Sequence, residues 1–388
     1  MHNTRAAMFQ LNLTQFTQEE FLRDYWQKKP VLIKQGFLNF EDPISPDELA
    51  GIACEEQVQS RLIHHKEGKW HADFGPFESY DHLGKNNWSL VIQALDNWSE
   101  DAAQIIEAFR FIPHWRLDDL MASFATPNGS VGPHIDKYDT FICQGSGSRH
   151  WRVGDNGEHK EFSAHNALLH VKNFDAIIDE KLSAGDILYI PPGFPHEGKS
   201  LNNSMSFSVG FRTNSTVSLL SAFADHLIDN DQGNELIQDP DRIATQHSGA
   251  INSSDYLIIK RQLQQILDND NVFRNFTGCY MTQAKHEMDL VPNEEPFADE
   301  DIADILSQTS LLRLGGLRAF YFTDTIEQGI CYINGNQIDF DPSIATIIKL
   351  LCDNVRIEPK VLEPWKHNLA FISFVKTQID LGYWYFSE

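Results

Sequence analysis

Residues 132–154 read GPHIDKYDTFICQGSGSRHWRVG, and this stretch decides the fold. Two β-prone runs, residues 139–143 and 150–153, are separated there by a turn rich in glycine and serine. Residues 186–190 and 205–211 repeat the pattern of a short apolar run bounded by turn residues. Short strands with regular turn signals are typical of a β-sandwich or barrel and not of alternating strands and helices.

His134 and Asp136 stand two positions apart in this stretch. Because side chains at i and i+2 of a strand point to one face, their imidazole and carboxylate would lie side by side. Two histidines and one carboxylate form the facial triad that holds Fe(II) and leaves positions open for a co-substrate and oxygen. Pairs of a histidine and an acidic residue two positions apart arise easily in an acid-rich chain. His71 and Asp73 form another such pair, which is the alternative if the strand register around His134 is wrong.

The third metal ligand is expected from residues 185–196, which read GDILYIPPGFPH. An apolar strand ends there in a Pro-Pro-Gly turn, and His196 opens the next strand. The prolines restrict the backbone, so the imidazole can be aimed before a metal binds. The alternative is that His196 only caps the turn.

Arg149 is predicted at the start of a strand adjacent to the metal ligands. If it faces inward, its buried guanidinium needs an anion, and its planar fork matches a carboxylate with two hydrogen bonds. It would then hold the distal carboxylate of a 2-oxo acid whose other end chelates iron. An exposed arginine on an edge strand is the alternative.

These motifs resemble the JmjC branch of the cupin superfamily, and within it the bacterial ribosomal-protein arginine hydroxylases, relatives of the eukaryotic ribosomal-oxygenase histidine hydroxylases. The resemblance covers residues 18–213 and is looser beyond them. The segments that carry it, besides residues 132–154, are AGDILYIPPGFPHEG (184–198), FSVGFR (207–212), FLRDYWQKKPVLI (21–33) and WSLVIQALDNW (88–98).

The resemblance implies an α+β fold with a double-stranded β-helix (the cupin/JmjC jelly roll) over residues 1–213. A helical dimerisation region over residues 214–275 and a winged-helix-like domain over residues 276–388 would follow. It also implies a dioxygenase that uses Fe(II), O2 and the co-substrate 2-oxoglutarate. The residues that match the family's catalytic metal ligands are His134, Asp136 and His196, and Arg149 falls where the family holds the 2-oxoglutarate tail.

The resemblance also implies where substrate binds. Ser206 and Ser208 share one face of the closing strand and would complete the co-substrate pocket. Asp118 or Asp119, with Tyr138, would hold the substrate, an arginine side chain of the large-subunit ribosomal protein L sixteen. For each of these residues a purely structural role is the alternative.

Residues 214–275 contain two apolar stripes at helical spacing, over 219–228 and 259–267. Such a helical pair can pack on its own chain or form a dimer interface. Since the family's middle helices form its dimerisation region, we expect a homodimer.

Residues 276–388 combine predicted strands over 318–323 and 329–340 with predicted helices over 343–352 and 362–379. Asn334-Gly335 is a type I′ hairpin signal within the second strand segment. This mix resembles a winged helix, a module that usually reads nucleic acid.

The net charge of the 388-residue chain is −24, from 31 Lys and Arg against 55 Asp and Glu. Residues 276–388 carry 8 Lys and Arg against 17 Asp and Glu, the wrong sign for phosphate contact, so no direct nucleic-acid binding is expected. A basic ribosomal protein is the expected partner.

Five scattered cysteines without a CxxC pair predict a reducing compartment, and no apolar run is long enough to span a membrane. We therefore expect a cytoplasmic protein without a membrane partner.

Two other functions remain open. The chain could be a related ribosomal-protein histidine hydroxylase, or a lysyl demethylase, with the same metal chemistry. It could also be a non-enzymatic cupin scaffold that binds metal structurally.

Overall fold

Two antiparallel β-sheets and three helices make up most of the chain between residues 9 and 211. The computed structural model describes residues 9–293, 295 and 297–387. The helices are α1 (Gln18–Asp24), α2 (Pro46–Ile52) and α3 (Glu100–Glu107). The strands are β1 (Val31–Ile33), β2 (Ser60–Lys66), β3 (Lys69–Phe74), β4 (Trp88–Ile92), β5 (Leu117–Ala125), β6 (His134–Ile135), β7 (Asp139–Gln144), β8 (Ser148–Gly154), β9 (Glu161–His165), β10 (Leu168–Val171), β11 (Ala176–Ser183), β12 (Ile187–Ile190), β13 (Pro195–Ser200) and β14 (Ser204–Phe211).

The chain winds between a large and a small sheet. The large sheet has the order β1-β12-β7-β14-β5-β4-β2-β3, the small sheet has the order β11-β8-β13-β6, and β9 pairs with β10. From β5 to β8, and again from β11 to β14, successive strands alternate between the two sheets. This winding confirms the double-stranded β-helix that the family resemblance implies.

The middle of the large sheet is buried on both faces, which strand β7 illustrates. Ile142 packs with Trp151 and Leu188 between the two sheets. Its neighbour Phe141 points the other way, toward the N-terminal helices, where its ring centroid lies 5.4 Å from that of Phe21. Because successive side chains of a strand alternate between faces, a continuous apolar run fits a sheet covered on both sides.

The strand runs predicted at residues 139–143, 150–153 and 205–211 fall within β7, β8 and β14, and the run at 186–190 begins one residue before β12, which confirms all four strands. Strands β9, β10 and β11 are not predicted. Their exposed positions carry polar and apolar residues in irregular order, so no periodic signal marks them.

Three helices follow the β-helix: α4 (Thr216–Asp229), α5 (Ser253–Leu267) and α6 (Asp270–Thr282). The first two contain the predicted apolar stripes. Helix α6 passes through residues 275 and 276, where the sequence places a domain boundary, so that boundary would fall within a helix. The helix continues there because Asn269 caps its first turn and Phe276 packs on Phe223 of α4 with 5.0 Å between ring centroids.

The rest of the described chain forms a second core around mixed helices and strands. Its elements are α7 (Asp299–Leu306), β15 (Leu311–Arg313), β16 (Ala319–Phe320), β17 (Ile330–Ile333), β18 (Asn336–Asp339), α8 (Ala345–Asp353), β19 (Arg356–Ile357), α9 (Pro359–Leu362), α10 (Leu369–Asp380) and β20 (Trp384–Phe386). Strands β17 and β18 form the predicted hairpin, and Asn334 and Gly335 have the positive φ angles, 46° and 81°, that a type I′ turn requires.

The predicted single helix over residues 362–379 is wrong in its first part. The long helix α10 begins only at Leu369, where the Asn368 side chain accepts a hydrogen bond from the Phe371 amide. A 3-10 turn with Pro364 near its start precedes it, because proline cannot supply a backbone donor to a helix interior. Among the helices that the structure describes, none is long and apolar enough to cross a membrane.

Candidate active site

A cavity of about 310 Å³ lies inside the β-helix. All nine residues that the sequence analysis singles out for the site line this cavity. They are Asp118, Asp119, His134, Asp136, Tyr138, Arg149, His196, Ser206 and Ser208. The fold therefore gathers into one space residues that are spread over 91 positions of the chain.

The three predicted metal ligands meet through strand pairing. In the small sheet, β6 pairs with β13 so that His134 lies directly opposite His196. Asp136 follows β6, and its backbone carbonyl accepts a hydrogen bond of 2.9 Å from the Gly193 amide in the Pro-Pro-Gly turn. Gly193 has φ of +89°, a left-handed conformation that favours glycine, so this residue type lets the turn hold both ligand segments together.

Both imidazoles are oriented by backbone carbonyls. The Nδ1 atom of His134 lies 2.9 Å from the Gly132 carbonyl, and Nδ1 of His196 lies 3.0 Å from the Phe194 carbonyl. Since a carbonyl oxygen can only accept, each Nδ1 carries a proton, which leaves Nε2 as the ring nitrogen that can bind a metal. The Asp136 carboxylate lies 3.8 Å from Nε2 of His134 and 3.5 Å from Nε2 of His196.

The protonation states suit metal coordination. Burial, together with the neighbouring His196, lowers the pKa of His134 to about 4, so this imidazole is neutral at pH 7. Burial alone would raise the pKa of Asp136, but the two histidines and the Tyr138 hydroxyl lower it to about 2. The potential donor atoms of the three residues lie within 4.8 Å of one another. Imidazoles from two histidines and one carboxylate are the donor set of a facial Fe(II) site.

The alternative pair on β3 lacks a third ligand. The His71 ring stacks on His64 with 4.8 Å between centroids, and Asp73 lies 3.9 Å from His64. Within the described part of the chain, neither His71 nor Asp73 belongs to a group of three side chains that could hold a metal.

Arg149 on β8 is buried and faces the same cavity, not an exposed edge. Its guanidinium donates to the side chains of Ser123 and Ser204, at 2.8 and 2.9 Å, and to both of their backbone carbonyls. Burial lowers its pKa to about 10, which leaves it cationic at pH 7. Its hydrogen bonds within the described residues go to serine hydroxyls and backbone carbonyls and not to a carboxylate, so this fixed positive charge can receive an anion.

The closing strand β14 contributes Ser206 and Ser208. They stand two positions apart and both line the cavity, Ser206 fully buried and Ser208 half-buried.

The sequence analysis misses three further residues here: Ser123 and Ser204, which hold Arg149, and Thr140 on the cavity wall. Strand alternation could have predicted Thr140, because Thr140 lies two positions before Ile142, which points inward, and therefore shares its face of the strand.

A β-bulge brings both predicted acidic residues to the cavity. Along β14 and β5, Val209 pairs with Leu120 and Phe211 pairs with Leu117, so Asp118 and Asp119 together oppose Gly210. In a regular strand two successive side chains would point to opposite faces, but a bulge re-aims one of them. The sequence analysis leaves Asp118 and Asp119 as alternatives, whereas the structure places both on the wall beside Tyr138.

The two carboxylates differ in their partners. Asp118 lies 3.0 Å from Nε of Arg212 and 3.2 Å from Nζ of Lys285. Asp119 accepts a hydrogen bond of 3.0 Å from the Ala94 amide, and burial raises its pKa. This end of the cavity thus carries two carboxyl groups, of which Asp118 is paired with two cations.

A double-stranded β-helix with an inward-facing His-Asp-His cluster defines the JmjC class of cupins. The family model described as a JmjC domain matches residues 104–219, and the ROXA-like winged helix model matches residues 262–385. The ribosomal protein uL16 3-hydroxylase of Escherichia coli (strain K12) is 44% identical over 368 residues, which cover 95% of this chain and 97% of that protein.

Solved structures agree with this match. The X-ray structure of E. coli ycfD has a TM-score of 0.91 at 42% identity and covers 98% of this chain and 100% of that chain. The structure of YcfD, a ribosomal oxygenase from E. coli, in complex with cobalt and 2-oxoglutarate has a TM-score of 0.89 at 42% identity, with the same coverage. This chain belongs to the ribosomal oxygenase family.

Metal affinity tests the ligand assignment. We expect His134→Ala and His196→Ala each to lower the affinity for Co²⁺ by about 100-fold or more, because each change removes one of three donors. His71→Ala, which removes the imidazole of the alternative pair, should leave the affinity unchanged. Titration calorimetry with Co²⁺ measures all three. Normal binding by His134→Ala together with loss in His71→Ala would contradict the assignment.

Proposed function

We propose that this protein is an Fe(II)- and 2-oxoglutarate-dependent dioxygenase that hydroxylates an arginine side chain of a large-subunit ribosomal protein. The observation that carries the proposal is one cavity with three metal-binding side chains, a buried cation on one wall and two carboxylates on another. The name of the E. coli relative, ribosomal protein uL16 3-hydroxylase, supports the substrate and carbon 3 of the target residue as the hydroxylated position.

We assign the metal to His134, Asp136 and His196. When bound there, Fe(II) with O2 and 2-oxoglutarate supplies the oxidising chemistry of the reaction. The chain's part is to present both Nε2 atoms to the metal, which the Gly132 and Phe194 carbonyls do by holding a proton on each Nδ1. The cobalt and 2-oxoglutarate complex of the E. coli ribosomal oxygenase supports the same cofactors for this chain.

Arg149 is the proposed anchor for the tail carboxylate of 2-oxoglutarate, with Ser206 and Ser208 beside it. Ser123 and Ser204 hold its guanidinium in place, so little conformational entropy is lost when the anion binds. A non-enzymatic scaffold, the alternative from the sequence, would give this buried cation no role.

Asp118, Asp119 and Tyr138 are the proposed contacts for the substrate side chain. A guanidinium is permanently cationic and donates several hydrogen bonds from one planar group. A pair of carboxylates therefore binds a guanidinium better than a neutral imidazole. This preference favours arginine over the histidine that related hydroxylases modify. The acidic surface of the chain also favours encounter with a basic ribosomal protein.

Product mass tests the proposal directly. The protein, reconstituted anaerobically with Fe(II), should form succinate from 2-oxoglutarate and O2 faster when the purified ribosomal protein is present. The ribosomal protein should gain the mass of one oxygen atom on an arginine. Both effects should vanish in His134→Ala. A gain on histidine would assign the alternative hydroxylase, and the absence of any stimulation would remove the ribosomal substrate.

Co-substrate affinity tests Arg149. We expect Arg149→Met to raise the KM for 2-oxoglutarate by about 100-fold, because the tail carboxylate would be buried without its counter-charge. Arg152→Met on the same strand is the matched control, since Arg152 pairs with Asp179 outside the cavity. Its KM should stay at the wild-type value. Equal effects of the two changes would contradict the anchor role.

We also propose a cytoplasmic homodimer that forms through α4 and α5. Every residue of α5 is exposed or half-buried, and Tyr256, Ile259 and Leu263 form an exposed apolar stripe along it. Leu220 and Ile228 extend the apolar surface on α4. A second copy that covers these side chains would remove them from water. The free thiols of all five cysteines support a reducing compartment.

Light scattering after size exclusion tests the dimer. Leu263→Asp should shift the protein to a monomer, because a charge would be buried in the apolar interface. Gln265→Asp, which adds the same charge at an exposed polar position of the same helix, should remain dimeric. If Leu263→Asp stays dimeric, the interface lies elsewhere.

A further inference from the structure

The backbone of the Asp118–Asp119 bulge is held by the C-terminal region. A bulge interrupts the hydrogen-bond ladder, so its carbonyl groups need other partners. The carbonyls of Leu117 and Asp118 accept hydrogen bonds of 2.9 and 2.8 Å from one guanidinium nitrogen, Nη2 of Arg318. Arg318 is buried and lies 200 positions further along the chain.

The same region reaches the two carboxylates. Nζ of Lys285 lies 3.2 Å from Oδ1 of Asp118, while Arg212 of the β-helix takes the other oxygen at 3.0 Å. Nε2 of His286 lies 3.9 Å from the Asp119 carboxylate. Asp118 lines both the active-site cavity and a second cavity that contains Lys285, His286 and Arg318. The Asp118 carboxylate thus lies in the wall between the two cavities, and Lys285 contacts it from the second cavity.

The bulge concentrates negative charge that these cations offset. Asp96 accepts a hydrogen bond of 2.8 Å from the Leu120 amide, next to Asp118 and Asp119. Burial and the nearby Asp119 raise the pKa of Asp96 to about 7. Three carboxylates this close repel one another in a buried setting, so removal of a cation would disturb their orientation.

We propose that Lys285 and Arg318 are positioning residues for substrate recognition. They fix the bulge so that the Asp118 carboxylate meets the substrate guanidinium, which makes the winged-helix region part of the substrate site. We expect metal and 2-oxoglutarate binding to be affected less, because the proposed metal ligands lie on or beside β6 and β13. The one contact of β5 with Arg149, at Ser123, lies beyond the bulge. This inference rests on the function proposed above.

The test separates substrate binding from co-substrate binding. Lys285→Met should raise the KM for a ribosomal-protein fragment with the target arginine by about ten-fold, with little change in kcat or in the KM for 2-oxoglutarate. Lys285→Arg, which keeps the cation, should behave like wild type. Lys376→Met is the matched control, because Lys376 pairs with Asp299 at the surface of the same region.

Arg318→Lys keeps the charge but loses the planar guanidinium that donates to both carbonyls. It should also raise the KM for the fragment, and amide hydrogen exchange over residues 117–120 should become faster than in wild type or Lys376→Met. This exchange measurement does not need substrate, so it tests the hold on the bulge even if the proposed substrate is wrong.

Two results would overturn the inference. In one, Lys285→Met and Arg318→Lys leave the KM for the fragment and the exchange at residues 117–120 unchanged. In the other, the KM for 2-oxoglutarate rises as much as that for the fragment, which would indicate general damage. If wild type itself does not modify the fragment, the proposed function fails, and the exchange result alone decides whether Arg318 holds the bulge.

Discussion

The pairing of β6 with β13 places His134 opposite His196, and the candidate site is built outward from this pair. Strand pairing fixes the two backbones, the Gly132 and Phe194 carbonyls fix the imidazole tautomers, and the Gly193 amide ties the second segment to Asp136. None of these constraints depends on a metal ion. A metal would therefore meet a donor set that is already oriented.

The walls around this cluster carry charged side chains of both signs. On one wall the chain buries the Arg149 cation among serine oxygens, and the structure as described provides no anion for it. On another wall the bulge in β5 exposes two carboxylates to the cavity. We propose that 2-oxoglutarate, a dicarboxylate, pairs with the Arg149 cation and that a cationic substrate side chain meets the two carboxyl groups.

The sequence predicts those parts of the site that depend on local spacing. The His-x-Asp pair, the Pro-Pro-Gly-Phe-Pro-His turn and the arginine that opens β8 each have a physical meaning within a few residues, and the structure gathers all of them in one cavity. The family resemblance adds Asp118 and Asp119, but spacing could not choose between them. Both line the cavity because a strand 90 positions later offers one residue, Gly210, against the two.

Contacts across the chain account for what the sequence analysis misses. Ser204 holds Arg149 from a distance of 55 positions, and Arg318 holds β5 from 200 positions away. Nothing in the local pattern around either residue marks such a contact. Similarly, β9 (EFSAH) has no apolar alternation, and β10 (LLHV), although largely buried, is too short to show one. Local propensity also fails at Pro364, where an apolar pattern continues but a helix cannot.

A crystal structure with Mn²⁺ and 2-oxoglutarate, with the metal located by anomalous scattering, tests the central claim most directly. The account predicts a single strong peak bounded by Nε2 of His134, Nε2 of His196 and the Asp136 carboxylate, with the co-substrate tail paired to Arg149. A peak at His71 and Asp73, or at Asp118, Asp119 and His286, would contradict it. So would a 2-oxoglutarate tail bound away from Arg149.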